Sequence, residues 1–222
     1  MKSTLTLFFV YVLSILPSYS QQFSRIYLFD DFYVGRIKFR NRSVTAAKLN
    51  YDAANKTLLY YQGDDLMELT NSALVDTIIV EGRKLIPAES CYYEVVKLEN
   101  GIVYIDWLLK DVNVGSKGAL GAVTQGSVHN VQMTDFGNST EQYTPYQQQD
   151  LHVTDVLKRK NDNTYLIKIN GKLQKINSSK GLMKAYSDKK EEIKAYLSEH
   201  KIDFKDVGQA LEVINYCMGL IK

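Results

Sequence analysis

Apolar and polar residues alternate in short runs from residue 24 to about residue 114. The runs are rich in β-branched and aromatic residues, and polar breaks such as DAANK, QGDD and ENG separate them. This pattern predicts strands. Successive runs begin roughly ten residues apart with no helical period between them, so antiparallel pairing is expected. The predicted strands are RIYLFD, FYVGRIKFR, VTAAKLNYD, KTLLYYQ, DTIIVEG, CYYEVVKLENG and IVYIDWLLK. Asn100 and Gly101 predict a tight hairpin turn with positive φ angles.

The pattern changes after Asp111. Residues 113–150 are rich in Gly, Ser, Thr, Asn and Gln, which predicts a long loop. A connection of this length is usually functional or mobile. Strand patterns return in LHVTDVLKRK, TYLIKIN and KLQKIN, and Asn170 with Gly171 predicts the turn between the last two.

Three helices are predicted to end the chain. Ser178 or Ser179 caps the first, Ser187 caps the second and Asp203 caps the third. The third is expected from about Phe204 to Ile221. Its apolar residues recur at the helical period and predict one buried face: Val207, Ala210, Leu211, Ile214, Met218 and Ile221.

These elements predict an α+β fold, in which an antiparallel, tyrosine-rich sheet region precedes a strand pair and C-terminal helices. The expected divisions are a signal peptide at 1–20, a β region at 21–112 and a Gly/Ser/Gln-rich loop at 113–150. A strand pair with a helical cap follows at 151–222, packed with the β region as one domain.

The N-terminus has the pattern of a secretory signal. Lys2 precedes an apolar run over 5–16, Pro17 ends the run, and small residues stand at the −3 and −1 positions of a cut before Gln21. The apolar run is too short for a comfortable transmembrane span. We therefore expect an exported mature chain, periplasmic or extracellular, with no membrane span.

Charge and composition bear on which partners are expected and on whether a disulfide can form. The formal charge of +2 falls to +1 when Lys2 is removed with the signal, so nucleic acid is not an expected partner. Sixteen tyrosines against one tryptophan favour a half-buried sheet surface, although tyrosine also suits recognition. Cys91 and Cys217 permit one disulfide in an oxidising compartment, and both also fit as small core residues.

The C-terminal segment NTYLIKINGKLQKINSSKGLMKAYSDKKEEIKAYLSEHKIDFKDVGQALEVINYCMGL resembles the end of small secreted proteins of Bacteroides-type bacteria. The upstream pieces AAKLNYDAANKTLLY and VDTIIVEGRKLI are similar to the sheet region of the same proteins. The resemblance implies a periplasmic or secreted protein. This family has no assigned activity, so the resemblance implies no catalytic residue.

The glycine-dense stretch VGSKGALGAVTQGSVHN, residues 114–130, is the first candidate for a site. A phosphate loop needs a lysine directly after its last glycine and a helix after the loop. Here Lys117 precedes Gly118, the glycine spacing fits no nucleotide fingerprint, and no helix is predicted next. We interpret the stretch as an inter-strand loop without a cofactor.

Catalytic and metal patterns are weak. Ser127 and His129 would share a face of a strand, but two neighbours do not build a triad. His129, His152 and His200 are far apart and have no paired cysteines, so no metal site is predicted.

The sequence therefore favours a non-catalytic binding or accessory module of the envelope, whose partner is an unknown protein or glycan. A periplasmic hydrolase with a site not visible in sequence is the alternative, and a structural accessory of an outer-membrane complex is a third possibility. Within the 113–150 loop, Tyr143 and Tyr146 flank Pro145 and are the predicted partner contacts. A plain spacer is the competing interpretation of this loop.

Overall fold

The computed structural model describes residues 25–117, 123–124 and 155–221. Within them the chain forms thirteen strands followed by three α-helices. The strands are β1 Tyr33–Phe39, β2 Val44–Asp52, β3 Thr57–Gln62, β4 Asp65–Glu68, β5 Val75–Val80, β6 Arg83–Pro87, β7 Tyr92–Lys97, β8 Ile102–Asp106, β9 Leu109–Lys117, β10 Val123–Thr124, β11 Asp155–Asn161, β12 Thr164–Ile169 and β13 Lys172–Ile176. The helices are α1 Ser179–Ala185, α2 Lys190–Glu199 and α3 Val207–Gly219.

Ten of these strands form one sheet in the order β13-β12-β8-β7-β6-β5-β1-β2-β3-β4. Every pairing in it is antiparallel. The chain leaves this sheet at β9, which pairs with β10 and β11 in a three-stranded sheet, and returns at β12 to pair with β8. The predicted α+β class is confirmed.

The two faces of the large sheet differ in burial. Cross-strand partners lie on the same face. Tyr165 is opposite Ile105 and Ile167 is opposite Val103, and all four side chains are buried. We call their side the inner face, and the side of the intervening residues the outer face.

The sheet curls around its inner face. Tyr51 of β2 and Tyr92 of β7 make an edge-to-face contact with ring centroids 6.2 Å apart, although three strands separate β2 from β7 in the sheet. Lys56, between β2 and β3, forms an ion pair of 2.6 Å with Asp106 at the end of β8. The contact between the tyrosines makes the inner face concave, and the ion pair joins the end of β8 to the β2–β3 turn.

The helices contribute to the same hydrophobic core as the inner face. The turn between β7 and β8, which contains a glycine, lies close to α3. A Cβ atom on Gly101 would lie 2.8 Å from the Met218 sulfur, and the Asn100 backbone N–H donates to the Asn215 side chain over 3.0 Å. The fully buried helical residues are Leu182, Ile193, Ala210, Val213, Ile214 and Cys217.

The prediction for the β7–β8 turn was therefore half right. The hairpin is present, closed by a hydrogen bond from Leu98 to Gly101, but neither Asn100 nor Gly101 has a positive φ. A side chain at Gly101 would displace the Met218 side chain of the helix that lies against it. By contrast, Asn170 and Gly171 do take positive φ angles of 49° and 79°, as the tight turn between β12 and β13 requires.

Two predicted helix caps are wrong. The Asp206 side chain, not that of Asp203, accepts the Gln209 N–H at the start of α3 over 3.0 Å. Asp203 closes a preceding turn through its backbone carbonyl, which delays the helix. Ser187 lies in a 3₁₀ turn and makes no capping hydrogen bond. The Ser178 cap on α1 is confirmed.

The inward face of α3 is also rotated relative to the prediction. Ala210 and Ile214 are fully buried as expected, but Leu211 and Met218 are only half-buried and Ile221 is 57% exposed. The buried face is formed by positions 210, 213, 214 and 217, so it is centred on residues adjacent to the predicted Leu211 and Met218.

Three strand predictions need correction. RIYLFD is reduced to a single bridge at Tyr27, because its backbone bends before β1. Strands β4 and β6 were not predicted. Residues 113–117 and 123–124, predicted as parts of a loop, belong to β9 and β10, which pair with each other, and β9 also pairs with β11.

One polar cluster lies on the inner face. Arg83 donates to the buried Glu94 carboxylate from Nε over 2.7 Å and also from Nη2. The same carboxylate accepts the Trp107 indole N–H over 2.7 Å. The Arg83 guanidinium lies 4.9 Å from the Phe29 ring centroid and 5.0 Å from that of Trp107. Charge, hydrogen bonds and ring contacts are mutually satisfied, which is the arrangement expected of a structural ion pair.

Candidate functional site

The outer face carries an aromatic surface where five strands, β6, β7, β8, β12 and β13, lie side by side. Tyr93 is opposite Ile86, and Tyr104 is opposite both Val95 and Leu166. Neither tyrosine belongs to the hydrophobic core to which the helices contribute, and both remain partly exposed. Two tyrosines thus stand on an open sheet face among aliphatic neighbours.

These residues line a cavity of about 610 Å³. This volume lies in the range of small-molecule and peptide sites, which combine apolar walls with a few polar groups. We call it the tyrosine groove. Its lining residues are Ile86, Pro87, Ala88, Glu89, Tyr93, Tyr104, Leu166, Lys168, Gly171, Leu173 and Lys175.

The tyrosine groove carries charges of both signs. Lys168 on β12 and Lys175 on β13 line it, and neither makes an ion pair with another described residue. Glu89, in the segment after β6, also lines it. The groove therefore offers two ammonium groups and one carboxylate around an apolar, aromatic floor.

Cys91 begins the approach to β7, next to the groove, and is 7% exposed. Burial raises the pKa of its thiol, and the nearby Asp106 carboxylate raises it further, while the Lys56 ammonium opposes both effects. Burial also raises the pKa of the Tyr93 hydroxyl. Both groups keep their protons at neutral pH, so Cys91 lacks the thiolate that a nucleophile requires.

A second cavity of about 480 Å³ continues the surface toward α3. It shares Tyr104 and Lys168 with the tyrosine groove. Gly101 and Met218, which bring the β7–β8 turn against the helix, lie in its wall. The helix packing thus shapes one end of the candidate surface.

The residues singled out from the sequence are not among the described residues that line this surface. Tyr143, Tyr146, Ser127 and His129 lie outside the described residues, as do the predicted signal peptide and the cut before Gln21. Gly115, from the glycine-dense stretch, lies within β9.

One histidine and both cysteines are among the described residues. His200 is exposed at the end of α2, where its ring stacks on Tyr196 with centroids 4.1 Å apart. Cys91 and Cys217 are both buried and both free, so the disulfide that the sequence permits is not formed in this structure. This outcome matches the interpretation of each cysteine as a small core residue.

Residues 25–117, 123–124 and 155–221 contain no group of three or more His, Cys, Asp or Glu side chains placed to hold a metal ion. Their helices are too short or too polar to cross a membrane. No family model, curated protein or solved structure matches the chain. The site must be interpreted from its own geometry.

Sequence reasoning missed the tyrosine groove for a specific reason. Alternation along IVYID shows that Tyr104 faces away from its apolar neighbours Val103 and Ile105, whereas CYYEVVK orients Tyr93 less clearly because one of its neighbours is the buried Glu94. The sequence does not reveal, however, that the chain returns to place β12 and β13 beside β8. Those two strands complete the groove with Leu166, Lys168 and Lys175.

Proposed function

We propose that this chain is an exported, non-catalytic binding module of the cell envelope, and that its partner, a protein or a glycan, binds in the tyrosine groove. One observation carries the proposal: a groove on the outer face, open in the part of the chain that the structure describes, combines Tyr93 and Tyr104 with two ammonium groups that have no ion-pair partner among the described residues. Tyrosine presents large contact area at low entropic cost and keeps a polar tip for hydrogen bonds.

The envelope location rests on the signal pattern at residues 1–20 and on the resemblance to secreted proteins of Bacteroides-type bacteria. Intact-mass measurement of the protein from the envelope fraction of its native host tests it. The expected species begins at Gln21. A mature species that retains Met1 would contradict export by cleavage.

The rival class is a periplasmic hydrolase, which needs a nucleophile and a base within hydrogen-bonding reach. The tyrosine groove supplies one carboxylate, Glu89, and the adjacent Cys91 thiol stays protonated. These groups support binding over turnover, and the two classes differ in what happens to a bound probe.

The test is calorimetric titration of the mature protein with soluble envelope polysaccharide fragments and with peptides from digested envelope proteins. For the probe that binds, Tyr104→Ala should weaken the affinity by about thirtyfold, the effect of losing a central aromatic contact of about 2 kcal/mol. Tyr61→Ala is the matched control, because Tyr61 is an exposed tyrosine of β3, which lies near the opposite end of the strand order from the groove.

Two results would overturn the proposal. Equal affinity losses in the Tyr104 and Tyr61 variants would place binding elsewhere or attribute it to a general change of stability. Cleavage of the bound probe, followed by mass spectrometry during the titration, would identify a hydrolase.

A further inference from the structure

The other half of the outer face, across β6, β5, β1 and β2, carries a second exposed surface. Lys84 is opposite Ile79, Ile79 is opposite Arg36, and Arg36 is opposite Ala46, so these residues form one row across four strands. Flanking rows place Val34 opposite Lys48 and Lys38 opposite Val44. We call this surface the basic face, and all of its residues are exposed: Val34, Arg36, Lys38, Val44, Ala46, Lys48, Ile79 and Lys84.

The cations of the basic face are close together. Diagonal neighbours on paired strands lie about 7–8 Å apart, which is the relation of Arg36 to Lys48. Arg36 and Lys84 are two strands apart, or about 10 Å. Lys38 has a partner in Asp76 at 3.1 Å, whereas Arg36, Lys48 and Lys84 make no ion pair with any described residue. Such clustering leaves a positive potential that an anionic surface would neutralise.

Apolar side chains lie among these cations. Val34 is 71% exposed, Val44 is 58% exposed and Ile79 is 38% exposed. Single exposed aliphatic residues are ordinary, but three on four adjacent strands, interleaved with basic residues, form one mixed surface. A polar polyanion would engage the cations and leave the aliphatic groups in water. A lipid surface accommodates both, because aliphatic groups enter the headgroup boundary while cations contact anionic headgroups.

We propose that the basic face docks the protein onto a membrane surface that contains anionic lipid headgroups. The proposal is independent of the partner bound in the tyrosine groove, which lies across other strands of the sheet except for its contribution from β6. Docking by this face places β1 and β2 against the lipid and leaves α1 to α3, on the inner side, away from it.

Vesicle sedimentation tests the charge requirement. The mature wild-type protein should sediment with phosphatidylglycerol-containing vesicles, should not sediment with vesicles of phosphatidylcholine alone, and should be released by high salt. The variant Arg36→Gln/Lys48→Gln/Lys84→Gln should lower the partition coefficient by about a hundredfold, since each basic residue near an anionic surface contributes about fivefold. The control Lys190→Gln/Lys194→Gln/Lys201→Gln removes three exposed cations at α2 and should bind like the wild type.

A second measurement uses the wild-type protein alone. Acetylation of lysines, mapped by mass spectrometry, should show Lys48 and Lys84 protected by anionic vesicles while Lys190 and Lys194 are not. Equal losses in the two triple variants, or equal protection of the two lysine pairs, would overturn the proposal. So would binding of soluble polygalacturonate by the basic face without any vesicle binding, which would indicate a polysaccharide surface instead.

Discussion

Replacement of Arg83 by methionine removes the cation that neutralises a buried carboxylate. Glu94 has a side chain only 9% exposed and receives two N–H groups from Arg83. In the variant the donor that remains to it among the described residues is the Trp107 indole. Methionine retains an apolar stem between the Phe29 and Trp107 rings, so the perturbation is mainly the loss of charge and hydrogen bonds.

The magnitude follows from the burial of the pair. Removing one partner of a buried ion pair costs about 3–5 kcal/mol, because the other charge stays buried without compensation. Arg83 is 29% exposed, so solvent reaches the pair and the lower end, about 3 kcal/mol, is expected. In a chain of this size that loss lowers the melting temperature by about 6–12 °C. Glu94→Gln should cost less, because the exposed side of Arg83 can be hydrated.

Thermal unfolding followed by circular dichroism provides the assay, with chemical denaturation giving the free energy. The double variant Arg83→Met/Glu94→Gln should recover most of the stability lost in Arg83→Met, because it no longer buries an unpaired charge. If the single and double variants are equally destabilised, the loss comes from packing against the two rings and the electrostatic explanation fails.

Three further predictions concern the core. Ile214→Ala should destabilise the fold by about 2–5 kcal/mol and half-buried Leu211→Ala by clearly less; equal losses in denaturant melts would contradict the buried face assigned to α3. Gly35→Ala should cost about 1–3 kcal/mol, because the added methyl would lie 2.8 Å from a backbone oxygen of the neighbouring strand; an unchanged melting temperature would show that the strands can separate there. Burial raises the pKa of Cys217 to about 12 and also raises that of Cys91, so at pH 8 neither thiol should react with iodoacetamide until guanidinium unfolds the chain; a native protein with no free thiols after unfolding would instead indicate a disulfide.

The strand pattern in the sequence predicted most of the sheet because one face of each strand is buried. Runs such as FYVGRIKFR and VTAAKLNYD carry that alternation clearly. DLME, which forms β4, shows little of it because the strand lies at an exposed sheet edge. RKLIP, which forms β6, begins with Arg83. The Arg83 side chain is charged although it faces inward, so the strand lacks the usual alternation. Its inward position is explained by Glu94 on the neighbouring strand β7, which cannot be known from the sequence.

Features that depend on contacts between residues far apart in the sequence were harder to predict from it. Asp203 was predicted to cap α3, but Asp206 does so, because a turn closed by the Asp203 carbonyl precedes the helix. Asn100 and Gly101 have the composition of a positive-φ turn, yet neither has a positive φ, and Gly101 instead lies close to the side chain of Met218, more than a hundred residues later. The tyrosine groove belongs to the same class, since strands β12 and β13 complete it after the chain has left and re-entered the sheet.

The central claim is that a partner binds across Tyr104 on the outer face. Its most direct test is photocrosslinking in the native host, with a photoreactive phenylalanine analogue placed at Tyr104 or, as a control, at Tyr61. Both positions carry a partly exposed tyrosine in a strand of the same sheet. The account predicts a discrete crosslinked species, protein or glycan, from position 104 and none from position 61. Crosslinking from both positions alike, or from neither while the protein is folded and present in the envelope, would contradict it.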